Sequence, residues 1–244
     1  MRRKIVALML AGVMATSFTA CGGSSASDSS SQKTSNSNSV SQKKEEKKEA
    51  EKQEASIAES GYYISDDGMG DVYAYYGVTL NNPNTDWAMQ LPVLTITAKG
   101  EDGSIVGTSD QTLFYIAPND TISFGSVIDC NGKVPATVEF SIHSGTFVPG
   151  DTSGIIPVSS FSVSNTSEIV QDYGAVSYTG EVANNSDSDI DMVAVTVLLK
   201  SNGSIVYGDT TYVDNMTAGT TKPFELSEYN LPEHDEYVIS VQGW

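Results

Sequence analysis

The hydrophobic pattern divides the chain into three parts. An apolar run from Ile5 to Val13 comes first, and residues 22–60 are mostly polar. From Gly61 onward, short apolar stretches alternate with turn residues, and no segment keeps a helical period. Apolar side chains recur at every second position from Val193 to Leu199, which is typical of a half-buried strand. The pattern therefore predicts an all-β body that follows a polar segment.

The body contains an internal repeat. Equivalent landmarks in its two copies are separated by 100 or 103 residues, so the first copy is three residues longer between them. The matched landmarks are Gly77 and Gly180, Asn81–Pro83 and Asn184–Ser186, Gly103–Val106 and Gly203–Val206, and Phe124 and Phe224.

Turn residues separate the predicted strands in both copies. The segment from Tyr73 to Leu80 predicts a strand that changes face or bulges. Asp102-Gly103 and Asn202-Gly203 predict hairpin turns of type I′, because these pairs readily adopt positive φ angles. Further turns are expected at Pro118–Asp120 and Ala218–Thr220. Short strands with frequent turns predict a β-sandwich for each copy.

The predicted fold class is all-β, with two tandem immunoglobulin-like β-sandwich domains after a signal peptide and a disordered linker. Residues 22–42 are rich in Ser, Asn and Gln, and residues 43–54 are nearly all Lys and Glu, so neither segment can bury a core. The predicted divisions are a signal peptide (1–20), a lipidated cysteine with a disordered tether (21–60), a first sandwich (61–148), a linker (149–160) and a second sandwich (161–244).

Cys21 carries the strongest signal for location. A basic start, Arg2 to Lys4, precedes the apolar run, and small residues surround the cysteine in Ser17–Gly23. This context resembles the lipobox of bacterial lipoproteins, although Phe18 stands where that motif favours Leu. The resemblance implies that Cys21 is lipidated and becomes the mature N-terminus. It places the protein on the extracytoplasmic face of the cell membrane, held by a lipid anchor.

The body is strongly acidic. Residues 61–244 contain four lysines, no arginine and 24 acidic side chains. Such a surface repels phosphate backbones, so nucleic acid is excluded as a partner. Solubility is the simplest interpretation of this charge, and attraction to cations or basic proteins is the alternative.

The motifs of the repeat resemble a known family. Gly180–Asn185, then an apolar strand, then Gly203–Val206 and Phe224 resemble the FxLYD-type immunoglobulin-like domains of bacterial lipoproteins. The sequence departs from that family at Gly100–Asp102 and Lys200–Asn202, where an aromatic residue and Asp are usual. The resemblance implies an extracellular module, and it carries over no catalytic residue.

No combination of residues predicts catalysis. The two histidines, His143 and His234, lie outside nucleophile motifs and are expected on the surface. With Cys21 lipidated, Cys130 has no partner in the chain and is expected to be semi-buried and inert. Neither a metal site nor a cofactor is predicted. Paired carboxylates could support glycoside hydrolysis, but so many acids produce pairs by chance.

Four residues are candidates for ligand binding. Trp87 lies in the longer loop of the first copy and could contact a sugar, although packing in the core is the preferred interpretation. Asp187, Asp189 and Asp191 offer oxygen ligands to calcium, but they lack the Gly and the terminal Glu of an EF-hand loop.

The sequence as a whole predicts a non-enzymatic, membrane-anchored lipoprotein. It would display two immunoglobulin-like domains for protein binding, adhesion or assembly of an envelope complex, with another envelope or surface protein as partner. The alternatives are a carbohydrate-binding surface lipoprotein that uses loop aromatics and a calcium-stabilised adhesive module.

Overall fold

Residues 51–244 of a computed structural model are described, and their fold is all-β, as predicted. They form fifteen strands and two short 3₁₀ turns, and every strand pair is antiparallel. Within this part of the chain no helix is long and apolar enough to cross a membrane. The predicted signal peptide, Cys21 and residues 22–50 lie outside the described residues.

Nine strands build a first half around one core. The sheets are ordered β1-β2-β7, β5-β4-β8 and β6-β3-β9, and the side chains of Leu80, Leu94, Ile96 and Ile116 are fully buried among them. The strands are β1 (Ser56–Asp66), β2 (Val72–Asn81), β3 (Trp87–Gln90), β4 (Val93–Lys99), β5 (Ile105–Thr112), β6 (Tyr115–Ile116), β7 (Thr121–Asp129), β8 (Thr137–His143) and β9 (Thr146–Pro149).

Six strands build a second half as two facing sheets. Their order is β10-β11-β14 and β13-β12-β15, and Val182, Val193, Val195 and Phe224 lie in the core between them. The strands are β10 (Phe161–Val170), β11 (Ala175–Asn184), β12 (Ile190–Ser201), β13 (Ser204–Met216), β14 (Thr221–Tyr229) and β15 (Glu236–Gly243).

Strand β2 keeps the same residues on the same face along its length, so the predicted change of face or bulge is wrong. It pairs with β7 without interruption from Tyr73 to Asn81. Its even-numbered residues, from Val72 to Leu80, are buried in the first core. The opposite face carries Tyr75 and Gly77, which pack against the second half. Because Tyr75 and Gly77 are covered in the middle of this second face, the strand lacks a simple alternation of apolar and polar residues, which explains why its sequence suggested a bulge or a change of face.

Strand β12 is likewise covered on both faces. Val193, Val195 and Val197 point into the second half, as the alternation predicts. However, Ala194, Thr196 and Leu198 are also buried, with exposed fractions of 0%, 1% and 2%, and the prediction of a half-buried strand is therefore wrong. The Thr196 hydroxyl donates to the Ser123 carbonyl of β7 at 3.0 Å, because this face meets the first half.

Glycines allow the two halves to approach at backbone contact. A Cβ added to Gly125 of β7 would lie 2.3 Å from the Gly208 carbonyl carbon of β13, and one added to Gly208 would lie 2.6 Å from the Gly77 Cα. The Gly125 amide also donates to the Thr210 hydroxyl at 3.1 Å. Because glycine has no side chain, the β1-β2-β7 sheet can pack directly against β13 and β12 at these positions.

The first strand begins inside the segment predicted as tether. Residues 56–60 belong to β1, so the predicted boundary at residue 60 is wrong. Glu59 anchors this part of the strand to the second half. Its carboxylate lies 2.7 Å from Lys200 Nζ and accepts a 3.2 Å hydrogen bond from the Ile205 amide. These partners are over 140 residues away in sequence, so local composition could not indicate them.

A buried asparagine occupies the same place in both halves. The Asn82 side chain donates to the Trp87 and Ile116 carbonyls at 2.9 and 3.0 Å. Asn184 donates in the same way to the Ser188 and Met216 carbonyls at 2.9 and 3.0 Å.

These two asparagines correct the predicted alignment of the repeat. That alignment matched Asn184 with Asn81, but the buried equivalent of Asn184 is the next residue, Asn82. The strand pairing agrees, because Phe124 lies opposite Val78 and Phe224 lies opposite Gly180. Gly180 is therefore the equivalent of Val78 and not of Gly77.

The predicted turns are mostly confirmed. Asn202 and Gly203 both have positive φ angles, 51° and 78°, and connect β12 directly to β13 as type I′ requires. Asn119 and Gly219 also adopt positive φ in the second pair of turns. The type I′ prediction fails for Asp102-Gly103: only Gly103 has positive φ, and the Gly100 amide donates to the Ser104 carbonyl across a longer turn.

Replacing Gly125 with alanine should force the two halves apart. We expect Gly125→Ala to lower the free energy of unfolding by about 1–3 kcal/mol or more, because the new methyl overlaps the Gly208 backbone. Gly100→Ala is the control, since the atoms nearest to its added Cβ belong to the side chains of Asp102, Ser104 and Val106, at 3.2, 3.3 and 3.6 Å. Urea unfolding measures both variants. Equal losses would contradict the assigned role of Gly125.

Truncating the buried asparagine of the second half should cost more than truncating its neighbour. Asn184→Ala removes the amide that donates to the buried Met216 carbonyl and to the Ser188 carbonyl, and we expect the free energy of unfolding to fall by about 1–3 kcal/mol. Asn185→Ala removes only an exposed 3.1 Å hydrogen bond to Ser162 and should change little. If the two variants unfold at the same urea concentration, the buried Asn184 contributes no more to the free energy of unfolding than the exposed Asn185, and this expectation is wrong.

Candidate functional site

A groove opens where the first half, the segment predicted as linker and the second half meet. It encloses about 240 Å³ and combines aromatic, aliphatic and carboxylate side chains. We call it the seam groove. Its principal lining residues are Phe114, Tyr115, Ile156, Asp189, Asp191 and Trp244.

Tyr115 forms the fixed floor of the seam groove. Its hydroxyl donates to the Ile156 carbonyl at 3.0 Å and accepts from the Ile156 amide at 3.2 Å. Burial raises the pKa of Tyr115 to about 12, so the hydroxyl stays protonated. A Cβ on Gly243 would lie 2.2 Å from the Tyr115 hydroxyl, so only glycine allows this ring against β15.

The linker is held to the first half beside this floor. The Val158 amide donates to Asp120 Oδ2 at 2.7 Å. Burial raises the pKa of Asp120, although the Val158 amide opposes that shift. Together with the Tyr115 contacts, this bond positions Ile156 in the groove wall.

Trp244 closes the groove on the side of the second half. Its ring stacks on Phe124 of β7, with centroids 5.6 Å apart and planes 14° apart, and meets the Tyr212 edge at 5.3 Å. Its amide donates to the Met192 carbonyl at 2.9 Å. The indole is therefore held by both halves, and its position depends on their packing.

The structure brings two of the four sequence-predicted ligand residues into the seam groove. Asp189 and Asp191 lie at its rim, and Asp189 Oδ1 accepts a 2.9 Å hydrogen bond from the Ala218 amide. Asp187 does not line the groove; it accepts from the Ser188 hydroxyl. Across residues 51–244, no three His, Cys, Asp or Glu side chains are grouped closely enough to hold a metal ion.

Trp87 lies elsewhere, at the start of β3. Its ring is partly buried, and Lys52 Nζ lies 3.9 Å from the ring centroid. Its indole nitrogen is buried without a hydrogen-bond partner among the described residues. Trp87 therefore shares no site with the aspartates.

Sequence reasoning missed the aromatic part of the groove. Phe114 and Tyr115 fall between predicted strands, and their meeting with Asp189 depends on the packing of the two halves. One sequence feature could have indicated this site: Phe114 directly follows Leu113 between strands, where two adjacent large apolar side chains do not both face the core. Its side chain is 49% exposed, whereas Leu113 is 1% exposed.

A pair of carboxyl groups lies behind the interface, between β13 and β14. Burial, then the nearby Glu228 carboxylate, raises the pKa of Asp209 to about 7, although the Thr210 amide opposes the shift. Tyr207 and Tyr75 stack beside the pair at 5.2 Å. The Tyr207 hydroxyl is buried and has no hydrogen-bond partner within the described part of the chain.

His234 forms a polar cluster that the sequence did not suggest. Its Nε2 lies 2.9 Å from Glu168 Oε1 and 3.1 Å from the Tyr178 hydroxyl, and its Nδ1 lies 2.9 Å from the Pro232 carbonyl. The side chain is only 13% exposed, so the expected surface position is wrong. Through Glu168, these contacts tie the loop before β15 to β10.

The other residues with chemical potential are structural. His143 Nδ1 accepts a 3.1 Å hydrogen bond from the Gly145 amide in a turn. Cys130 is a free, fully buried thiol. Burial and the Asp129 carboxylate raise its pKa, which disfavours the reactive thiolate.

Comparisons with known proteins identify no family for this chain. No protein-family model matches the sequence, and no curated protein matches it. Among solved structures, the chain aligns with part of a calcium-binding mutant of beta-glucuronidase 2 from Bacteroides uniformis, with a TM-score of 0.21 and 14% sequence identity. That match covers 70% of this chain and 23% of the glucuronidase chain.

The carboxyl pair should make the fold sensitive to pH. The folded-state pKa of Asp209 lies above its ordinary value of 3.8. Its favourable contribution is therefore complete below about pH 4 and is lost as the pH rises toward 7. We expect Asp209→Asn to be more stable than the parent chain at pH 8 and to lose this advantage near pH 4.

Urea unfolding at several pH values tests this expectation. Asp172→Asn, an exposed aspartate of a 3₁₀ turn, is the control for removing one negative charge. Identical pH dependence in Asp209→Asn and the parent chain would show that Asp209 titrates normally.

Proposed function

We propose that the protein is a lipid-anchored, non-enzymatic component of a bacterial cell envelope that binds a partner protein through the seam groove. The observation that carries the proposal is that residues of both halves and of the segment between them line a single groove. Because Phe114 is half exposed there beside fixed side chains, the groove offers an apolar contact that is already organised for binding.

The location rests on the sequence around Cys21. The lipobox resemblance supports attachment to the extracytoplasmic face of the cell membrane through acyl chains on that cysteine. The polar segment that follows supports display of the β body away from the lipid surface, because its composition is that of a tether.

The absence of a catalytic role is supported by the histidine environments. His143 contacts a backbone amide, and His234 contacts Glu168, Tyr178 and a carbonyl. Neither ring has a Ser, Thr or Cys side chain as hydrogen-bond partner in the described region.

Membrane attachment should require Cys21 and not Cys130. We expect Cys21→Ala to move the protein from the membrane fraction to the soluble fraction of a bacterial host that processes lipoproteins. Cys130→Ala is the matched control and should stay with the membrane, because this thiol is buried in the fold. Membrane retention of Cys21→Ala would exclude the proposed anchor.

Partner binding should be confined to the seam groove. A photo-cross-linking amino acid at Phe114 should form a defined protein adduct in cells, because this side chain is exposed at the groove. The same group at Val170, which is 76% exposed on β10, is the control and should form none. No adduct at either position, or the same adduct at both, would rule out the groove as the binding surface.

A further inference from the structure

We infer that the seam groove receives a lysine or arginine side chain from an extended segment of the partner protein. This inference rests on the proposed function and specifies the chemistry that the groove recognises. It combines the size of the groove, the charge of its rim and the exposed aromatic face of its wall.

The size of the groove fits one side chain. Its volume of about 240 Å³ lies below the range of roughly 300–1,000 Å³ that is usual for pockets enclosing a whole small molecule. A ligand larger than this volume must leave part of its surface outside. A side chain on a macromolecule satisfies this condition, because its backbone can lie across the rim.

The charge of the rim selects a cation. Asp189 and Asp191 are the charged lining residues, and the lining includes no Lys, Arg or His. The Ala218 amide fixes the Asp189 carboxylate, and the exposed Asp191 follows on β12. A cation at this rim would meet one carboxylate that an amide already holds in place and a second, exposed carboxylate on β12.

The surrounding surface strengthens this selection. Residues 51–244 contain five lysines, no arginine and 27 acidic side chains. Two of those lysines already pair with carboxylates, Lys99 with Glu139 at 2.6 Å and Lys200 with Glu59 at 2.7 Å. The resulting negative field attracts basic segments toward the groove and repels acidic ones.

The aromatic wall suits the same ligand. Phe114 is half exposed, and its ring lies 5.5 Å from the Tyr115 ring at an angle of 56°. The methylene groups of a lysine or arginine can pack on such apolar surface while the charged end reaches the carboxylates. A neutral apolar side chain would offer those carboxylates no positive charge.

Titration of the isotopically labelled protein with short peptides tests the inference. The whole chain is used with Cys21→Ser, which prevents lipidation, and the probe is an N-acetylated, C-amidated Ser-Gly-Lys-Gly-Ser peptide. The chain has two tryptophans, so its two indole N–H signals in NMR spectra separate Trp244 in the groove from Trp87 outside it. Trp87→Phe assigns them.

The expected result is a saturable shift of the Trp244 indole signal with no shift of the Trp87 signal. The same peptide with norleucine in place of lysine should produce no shift at equal concentration. Asp191→Asn should weaken lysine-peptide binding by up to about fivefold, the upper end of the range for one exposed charge pair. Asp172→Asn is the matched control and should bind like the parent chain, because it lies outside the groove.

Three outcomes would overturn the inference. The norleucine peptide could bind equally well, which would make the groove an apolar site. Asp172→Asn could weaken binding as much as Asp191→Asn, which would reduce the effect to diffuse attraction by the acidic surface. Replacement of Lys43, Lys44, Lys47 and Lys48 by Gln could tighten peptide binding, which would identify the chain's own lysine segment as the occupant.

The failure of this inference is distinguishable from failure of the proposed function. A specific cross-link at Phe114 without lysine-peptide binding would leave the groove as a partner site with different chemistry. Loss of both signals would reject the site itself.

Discussion

The close contact between two sheet faces is the constraint on which the rest of the structure depends. Gly77 and Gly125 of the first half meet Gly208 of the second at distances that exclude even a methyl group. The hydroxyl of Thr196 and the amide of Gly125 then find partners across the contact, so its polar groups are satisfied. The two sandwiches are therefore joined by a packed interface and not by the linker alone.

Burial at this interface also decides the electrostatics of the body. Most acidic residues are exposed and contribute to solubility, but Asp209 and Glu59 are tied to the contact. Glu59 receives Lys200 and an amide as partners, whereas burial and Glu228 disfavour the charged form of Asp209. The Glu59 carboxylate therefore has partners that stabilise its charge, whereas ionisation of Asp209 disfavours the packed state.

The seam groove is a consequence of the same contact. Tyr115 belongs to the first half, Ile156 to the segment between the halves, and Trp244 to the second half. Trp244 stacks on Phe124 across the interface, so the groove keeps its shape only while the halves stay packed. A ligand that bound only the intact groove would accordingly stabilise the packing of the halves.

Local sequence patterns determined the secondary structure well. The all-β class and the type I′ turn at Asn202-Gly203 both follow from interactions between residues near each other in the chain. The lipobox resemblance at Cys21 is a sequence signal of the same kind, and it remains a prediction because it lies outside the described residues. The repeat was also detectable, although its alignment at the asparagines was wrong by one residue.

Tertiary structure alone decided which strands have two buried faces and where a site forms. Nothing near β12 in sequence indicates that Thr196 and Leu198 would be covered, because their cover comes from β7 and β2. For the same reason, Asp189 and Asp191 were identified as candidates without the aromatic residues that accompany them. A repeat pattern specifies each sandwich through contacts within its own copy. The groove and the interface arise from contacts between the copies, which the periodicity of either copy does not encode.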